Sequence, residues 1–191
     1  EVMTYNASQG KPAYAAIINR LDRPVSGLVL IAKNKSAAAK YSTLMQKEGG
    51  FNKQYEALIC GKLSELKGTF VDYLKKDGRT NTSAIVPADA AANDKEAKLS
   101  KLEYEVISYD EVKDITHVRI HLITGRHHQI RVQFASRRHP LVGDYKYATA
   151  YCGMDNAVKA VALKRNQIAL CAVSLTIDNK TFSVTPDFVI N

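Results

Sequence analysis

Cysteine is scarce in this 191-residue chain, and its placement closes off two classes of protein. Cys60, Cys152 and Cys171 are odd in number and far apart, with no Cys-x-x-Cys pair. Neither a disulfide framework nor a cysteine-built zinc site is supported. Cys60 and Cys171 sit in strand-like apolar runs, which predicts buried thiols suited to a reducing compartment. No apolar run approaches the ~18 residues of a membrane span, and no signal segment is recognisable. A glycine-rich phosphate loop at a strand-to-helix turn is missing as well, which weighs against a nucleotide cofactor. Acidic residues are the minority charge, 19 Asp and Glu against 27 Lys and Arg, for a net charge of +8. The resulting pI near 9.3 favours an anionic partner, nucleic acid first and an anionic membrane surface second.

What is present reads as one domain or two fused lobes with a real core, at 46% apolar and 24% charged residues. Residues 1–16 read as a connecting segment. Leu28 to Ala32 is a continuous apolar run, consistent with a strand buried on both faces. Asn34 or Ser36 can then cap a helix carrying Ala37, Tyr41, Leu44 and Met45 on one face, ended by Gly49 and Gly50. Gln54 to Gly61 returns to strand, and residues 75–98, the most polar stretch, read as an exposed hairpin or loop. Leu102, Tyr104 and Val106 alternate with charged residues, as do Val118, Ile120 and Leu122, which predicts an antiparallel pair turning at Ser108 to Asp114. His127 to Arg138 reads as a helix stopped by Pro140, with Ile130 and Phe134 on one face. Ala157 to Lys164 suggests another helix, and Gln167 to Val184 a closing hairpin turning at Asp178-Asn179. No internal repeat and no regular strand–helix alternation is present, so the expected class is α+β on a mixed, mainly antiparallel sheet.

Three stretches carry residue types suited to chemistry. Asn19-Arg20-Leu21-Asp22-Arg23-Pro24-Val25-Ser26-Gly27 sets a carboxylate between two cations in a loop, an arrangement suited to keeping it ionised. Lys53-Gln54-Tyr55-Glu56-Ala57 places Tyr55 at a strand start. Thr124-Gly125-Arg126-His127-His128-Gln129-Ile130-Arg131 opens a helix with two histidines and two arginines. Adjacent histidines on a helix point to different faces, and with His117, His121 and His139 they make no typical metal-ligand set.

Together these stretches resemble the RluA-type family of RNA pseudouridine synthases, whose signature is close to His-Arg-Leu-Asp-x-x-Thr-Ser-Gly followed by an apolar strand and Ala-Lys. Here it ends in Ala32-Lys33. The family's Lys-x-Tyr-x-Ala matches Lys53, Tyr55 and Ala57. Its Thr-Gly-Arg-x-His-Gln-Ile-Arg matches Thr124 to Arg131, and its His-Pro-Leu-x-Gly-Asp matches His139 to Asp144. A late Arg-x-x-x-Leu-His-Ala is visible as Arg165 through Leu170, Cys171 and Ala172. Asn19, Val25 and Cys171 replace the family's His, Thr and late His.

The resemblance implies the pseudouridine synthase fold, with flanking helices and a central active-site cleft. It implies one catalytic domain over residues 1–191, with an N-terminal segment missing and no S4 domain. Asp22 is then the nucleophile, Arg131 its ion-pair partner, and Tyr55 the residue against the uracil ring and a candidate for late proton transfer. Arg20 fills the stack when a uridine flips out, Leu170 packs on the base, and Arg126, His128 and Gln129 contact substrate. Ribosomal or transfer RNA is the partner, with no cofactor, no metal and no membrane, on a cytoplasmic monomer. Two other readings use the same residues: an RNA-binding or RNA-folding factor that keeps the scaffold without the chemistry, and a glycosidase-like hydrolase, for which no second acid is evident.

Overall fold

A computed structural model of the chain describes residues 1–47, 49–152 and 167–188. Its centre is the alternating pair foreseen from the sequence. β7 (Lys98–Asp110) and β8 (Ile115–Leu122) run antiparallel, with Leu102 opposite Leu122, Tyr104 opposite Ile120 and Val106 opposite Val118. The period of two sends these residues to one side, where they form the main core with Phe70, Ile130 and Phe134. The sheet extends in the order β10-β9-β4-β8-β7-β5-β6, with β4 at Asn52–Cys60, β5 at Lys67–Asp77, β6 at Thr82–Val86, β9 at Leu170–Ile177 and β10 at Lys180–Ser183. Every neighbour in this order is antiparallel. The chain is therefore α+β on a mainly antiparallel sheet.

β4 is central, and Ala57 to Cys60 are buried on both faces. Ala57 and Ile59 belong to the main core, while Leu58 and Cys60 meet Cys171, Val173 and Phe188 on the other side. Cys60 and Cys171 are buried, as expected. The turn between β9 and β10 carries Asp178 and Asn179 at φ 47° and 60°, the left-handed pair a two-residue hairpin loop demands.

α2 (Lys35–Gln46) begins where the sequence indicated, with the Asn34 side chain accepting from the Ala37 N–H at 2.8 Å. α4 (Gln129–Ala135) is buried throughout, and Phe134 meets Phe70 and Tyr104 edge-on, centroids 5.0 and 5.9 Å away. α5 (Tyr145–Cys152) follows, packed on α4. Among the described residues no helix is long and apolar enough to cross a membrane.

Three local expectations need correction. Residues 1–16 hold a short helix, α1 (Val2–Ser8), because the buried Asn6 amide donates to the Tyr14 and Lys33 carbonyls. Leu28 to Ala32 is not a strand covered on both faces. Only Ile31–Ala32 (β3) forms a ladder, with Ala16–Ile17 (β1), and Val29 and Ile31 are 44% and 36% exposed. Leu28 and Leu30 pack inward, against Phe51, Leu175 and Ile177, and Ala32 is buried. The exposed hairpin expected within residues 75–98 is present as β5–β6, and the short helix α3 (Ala88–Ala91) leads from it to the start of β7. α4 starts at Gln129 rather than His127, since His128 has left-handed backbone, φ 53°. The expected helix at Ala157 to Lys164 and the Arg165 match lie outside the described residues.

One short parallel ladder sets up the site. β2 (Ser26–Gly27) lies beside β9, Ser26 opposite Cys171 and Gly27 opposite Ala172. Gly27 has φ +119°, and a Cβ there would lie 2.5 Å from the Ala172 backbone N and O. Only glycine allows this approach. Gly27→Ala is expected to lower stability by about 2–5 kcal/mol, from backbone strain plus a contact that cannot relax. Urea unfolding checks this, and an unchanged midpoint would contradict it.

Candidate active site

The loop from Asn19 to Gly27 is held along its whole length. The buried Asn19 amide donates to the Leu28 carbonyl at 3.1 Å and accepts from the Leu30 N–H at 2.5 Å, tying the loop's start to its end. The Val25 N–H donates to the Asp22 carbonyl at 2.9 Å, closing a turn, and the Pro24 carbonyl accepts from Ile168 at 3.0 Å. Asn19, a departure from the family signature, thus acts as a backbone clamp.

From this turn the Asp22 carboxylate meets α4. Its Oδ2 lies 3.2 Å from Arg131 Nη1 and 3.5 Å from His128 Nε2. The expected Asp22–Arg131 pair is present, but it is not the closer of the two that Arg131 makes. Asp144 takes the guanidinium in bidentate fashion, Nε to Oδ2 at 2.7 Å and Nη2 to Oδ1 at 2.9 Å. The Arg131 and Asp144 side chains are 6% and 1% exposed, against 28% for Asp22. Removing one partner of such a buried pair costs ~3–5 kcal/mol. Burial alone would lower the Arg131 pKa, yet its bonds to Asp144 and the nearby Asp22 raise it. Asp144 also accepts from the Tyr147 N–H at 3.4 Å, capping the first turn of α5. The motif His139 to Asp144 contained this carboxylate, but nothing in spacing told which cation it would meet.

All eight residues singled out from the sequence line one cleft of about 660 Å³, within the roughly 300–1,000 Å³ usual for small-molecule sites. Tyr55 sits on β4 between Ile120 of β8 and Ala172 of β9, half-buried against the main core. Burial, with the Asp22 charge adding to it, pushes its phenol up to about 12. At neutral pH it is a hydrogen-bond donor and not a base. Leu170, buried at the start of β9, also lines the cleft. Arg20 is exposed at the rim, where no ion pair among the described residues occupies it. Arg126 is exposed too, its Nε anchored on the Leu99 carbonyl at 2.9 Å. Arg23 does not line the cleft.

Gln129 differs from its expected place as a substrate contact. Its Oε1 accepts from Thr124 Oγ1 and the Arg126 N–H, and its Nε2 donates to the Lys101 carbonyl and Gln133. Two acceptor and two donor bonds fill the amide, leaving nothing for a ligand. Lys53 of the Lys-x-Tyr motif, to which the sequence assigns no site role, also lines the cleft, and burial together with Arg126 lowers its pKa. The histidines also differ from expectation. Because His128 is left-handed and precedes the helix, the His127 and His128 rings stack 3.8 Å apart instead of diverging. No group of three His, Cys, Asp or Glu among the described residues could hold a metal ion.

A carboxylate paired with a buried arginine thus shares one cleft with an aromatic ring, an aliphatic side chain and further cations. The comparisons give this cleft a family. Residues 1–136 match the model of the RNA pseudouridylate synthase family, and the chain belongs to that family. Ribosomal large subunit pseudouridine synthase D of Blochmanniella floridana is 36% identical over 135 residues, 70% of this chain and 38% of that protein. The enzyme of the same name from Vibrio vulnificus is 31% identical over 168 residues, 86% of this chain and 48% of its own. The chain thus spans less than half the length of these curated relatives. Among solved structures, Human RNA Pseudouridylate Synthase Domain Containing 1 superposes with a TM-score of 0.69 at 26% identity, covering 91% of this chain and 69% of that one. Human RNA Pseudouridylate Synthase Domain Containing 4 shares the fold, with a TM-score of 0.73 at 17% identity over 97% of this chain and 76% of the other.

Burial, followed by the nearby Arg131, lowers the His128 pKa from 6.5 to about 4. Between those values the unfolded chain binds a proton that the folded chain refuses, so stability falls as the pH drops through this window. The loss is at most about 3 kcal/mol. His128→Gln is expected to lack this part of the acid loss, and equal pH slopes for the two proteins in urea titrations would contradict it.

Proposed function

We propose that residues 1–191 form the catalytic domain of an RNA pseudouridine synthase that isomerises uridine to pseudouridine in structured RNA. The observation that carries this reading is the Asp22 carboxylate held by Arg131 in the same cleft as Tyr55 and Leu170. The large-subunit names of the relatives make ribosomal RNA the first candidate, ahead of transfer RNA. The absence of any Cys-x-x-Cys pair and the burial of Cys60 and Cys171 support a cytoplasmic setting, and we take the working unit to be a monomer.

In the proposed reaction, Asp22 forms a bond to the ribose carbon that carries the base as the carbon–nitrogen bond breaks. Uracil leaves with that bond's electron pair, turns over between Tyr55 and Leu170, and rejoins the ribose through C5, displacing the carboxylate. The hydrogen on C5 is lost to a base, and the ring nitrogen ends protonated. The high phenol pKa suits Tyr55 to supporting the ring and donating a hydrogen bond, and argues against its serving as that base. Arg20 at the rim is the side chain suited to fill the stack left by the flipped nucleotide, an opening that costs a few kcal/mol. Arg126, Lys53 and the neutral His128 face the bound nucleotide, and Gln129 shapes the turn that presents them.

Asp22→Asn is expected to abolish pseudouridine formation while RNA affinity stays within ~2-fold, read by site-resolved pseudouridine mapping and by filter binding. Substantial turnover by this variant would end the nucleophile assignment. The excess of cations also predicts that RNA affinity falls at least ~10-fold between 50 and 200 mM salt, through release of counterions. An affinity indifferent to salt would count against phosphate contacts at the rim.

A further inference from the structure

His128 is the one residue of the cleft held in left-handed backbone, φ 53° and ψ 24°. A residue other than glycine keeps such a conformation only where its surroundings demand it, and at functional sites the demand is often positional. Here the surroundings are a chain of contacts that runs from the sheet edge to Asp22. The Ser83 N–H on β6 donates to Tyr147 Oη at 2.8 Å. Tyr147 Oη lies 2.8 Å from His128 Nδ1. The far nitrogen, Nε2, lies 3.5 Å from Asp22 Oδ2. Behind the ring, His127 stacks at 3.8 Å and is itself tied to Ser83, whose Oγ lies 2.9 Å from His127 Nδ1 and donates to the His127 carbonyl at 2.9 Å.

Burial comes first in deciding the proton count of this ring, whose side chain is only 8% exposed, and the nearby charges add to it. Arg131, His127 and Lys146 disfavour an imidazolium, while Asp22 alone favours one. The ring is therefore neutral and carries one proton, which must sit on one of two nitrogens. A bare lone pair on Nε2 would face the carboxylate and repel it. With the proton on Nε2, the ring offers Asp22 a donor, and Nδ1 becomes an acceptor. The Tyr147 hydroxyl then donates to Nδ1 and accepts from Ser83, so each contact has one donor and one acceptor.

We propose that Tyr147, itself oriented by the Ser83 N–H, locks His128 as the neutral Nε2–H tautomer, a second donor beside Arg131 on Asp22 Oδ2. Arg131 Nη1 and His128 Nε2 both address Oδ2, and among the described residues Oδ1 has no partner. Oδ1 is thus the oxygen left to bond to the substrate carbon, a refinement that rests on Asp22 being the nucleophile. Tyr147 acts through His128 and is a positioning residue. Its anchorage is firm, since the β5–β6 hairpin tip is held by Lys146, which donates to the Thr80 and Asn81 carbonyls at 3.2 and 3.3 Å.

The ring-nitrogen ¹⁵N shifts of His128 test this directly in the full chain at neutral pH, with the resonances assigned by their loss in His128→Gln. The expected pattern is a protonated Nε2 and an unprotonated Nδ1 in the parent, collapsing to a mixture of tautomers in Tyr147→Phe. The kcat of Tyr147→Phe for pseudouridine formation should fall about 10-fold, the effect of one lost hydrogen bond, with KM unchanged. His128→Gln, which keeps a neutral N–H, should retain more kcat than His128→Ala. A protonated Nδ1 in the parent, an imidazolium, or a tautomer indifferent to Tyr147→Phe would each overturn the proposal. A chain inactive on every RNA offered would count against the synthase reading, whereas the ring shifts decide the tautomer without any turnover.

Discussion

A guanidinium taken out of water must find its partners inside the protein, and Arg131 finds two. Its bidentate edge is committed to Asp144, which is fully buried, and the remaining Nη1 reaches Asp22, which is open to the cleft. That asymmetry fits the two carboxylates for different work. Asp144 neutralises and orients the arginine and caps α5 as it does so. Asp22 then meets an arginine already fixed in place, so its position does not depend on the cation rearranging when a ligand arrives. α4 carries this side chain, and the path through Pro140 and Leu141 beside β4 leads to the Asp144 that holds it at the start of α5.

The sheet provides the complementary constraint. Asp22 comes from a loop far from α4 in the chain, and the meeting depends on β2 lying against β9. Gly27 makes that approach sterically possible, Asn19 closes the loop behind it, and the Pro24 carbonyl pins the turn to Ile168. β9 is shared between the two halves of the site, since the same strand supplies Leu170 and pairs with Tyr55. A single strand therefore registers the Asp22 loop, the aromatic ring and the aliphatic contact against one another, so packed strands and one tethered loop set the side chains of the cleft.

Local structure was readable in advance wherever it rests on local physics. The alternation in β7 and β8, the Asn34 cap of α2, the Asp178-Asn179 turn and the inward face of Ile130 and Phe134 all follow from period, cap chemistry and turn geometry within a few residues. The positions lining the cleft were legible as well, because Arg-Leu-Asp, Lys-x-Tyr and Gly-Arg-x-His-Gln-Ile-Arg are ordered motifs of a known family. Where the reading missed, the deciding neighbour was remote. Leu28 to Ala32 is as apolar as a buried strand, but it lies off the main sheet and only one side is covered. Gln129 looks free to bind until the carbonyl of Lys101 and the side chains of Thr124 and Gln133 are seen to fill its amide.

The amino-acid sequence by itself thus determined the class of fold, the family, and which residues face the cleft. The tertiary structure alone decided who partners whom. Asp22 and Arg131 stand 109 positions apart, and their meeting is a consequence of strand pairing that no local pattern encodes. Asp144 takes the better half of the guanidinium because burial excludes water from that pair and not from the other. His128 turns its ring toward Asp22 because its backbone is left-handed and Tyr147 stands behind it, and both depend on β6 being present at the edge of the site. Hydrogen-bond capacity is finite, and only the assembled neighbours show which part of it remains for a substrate.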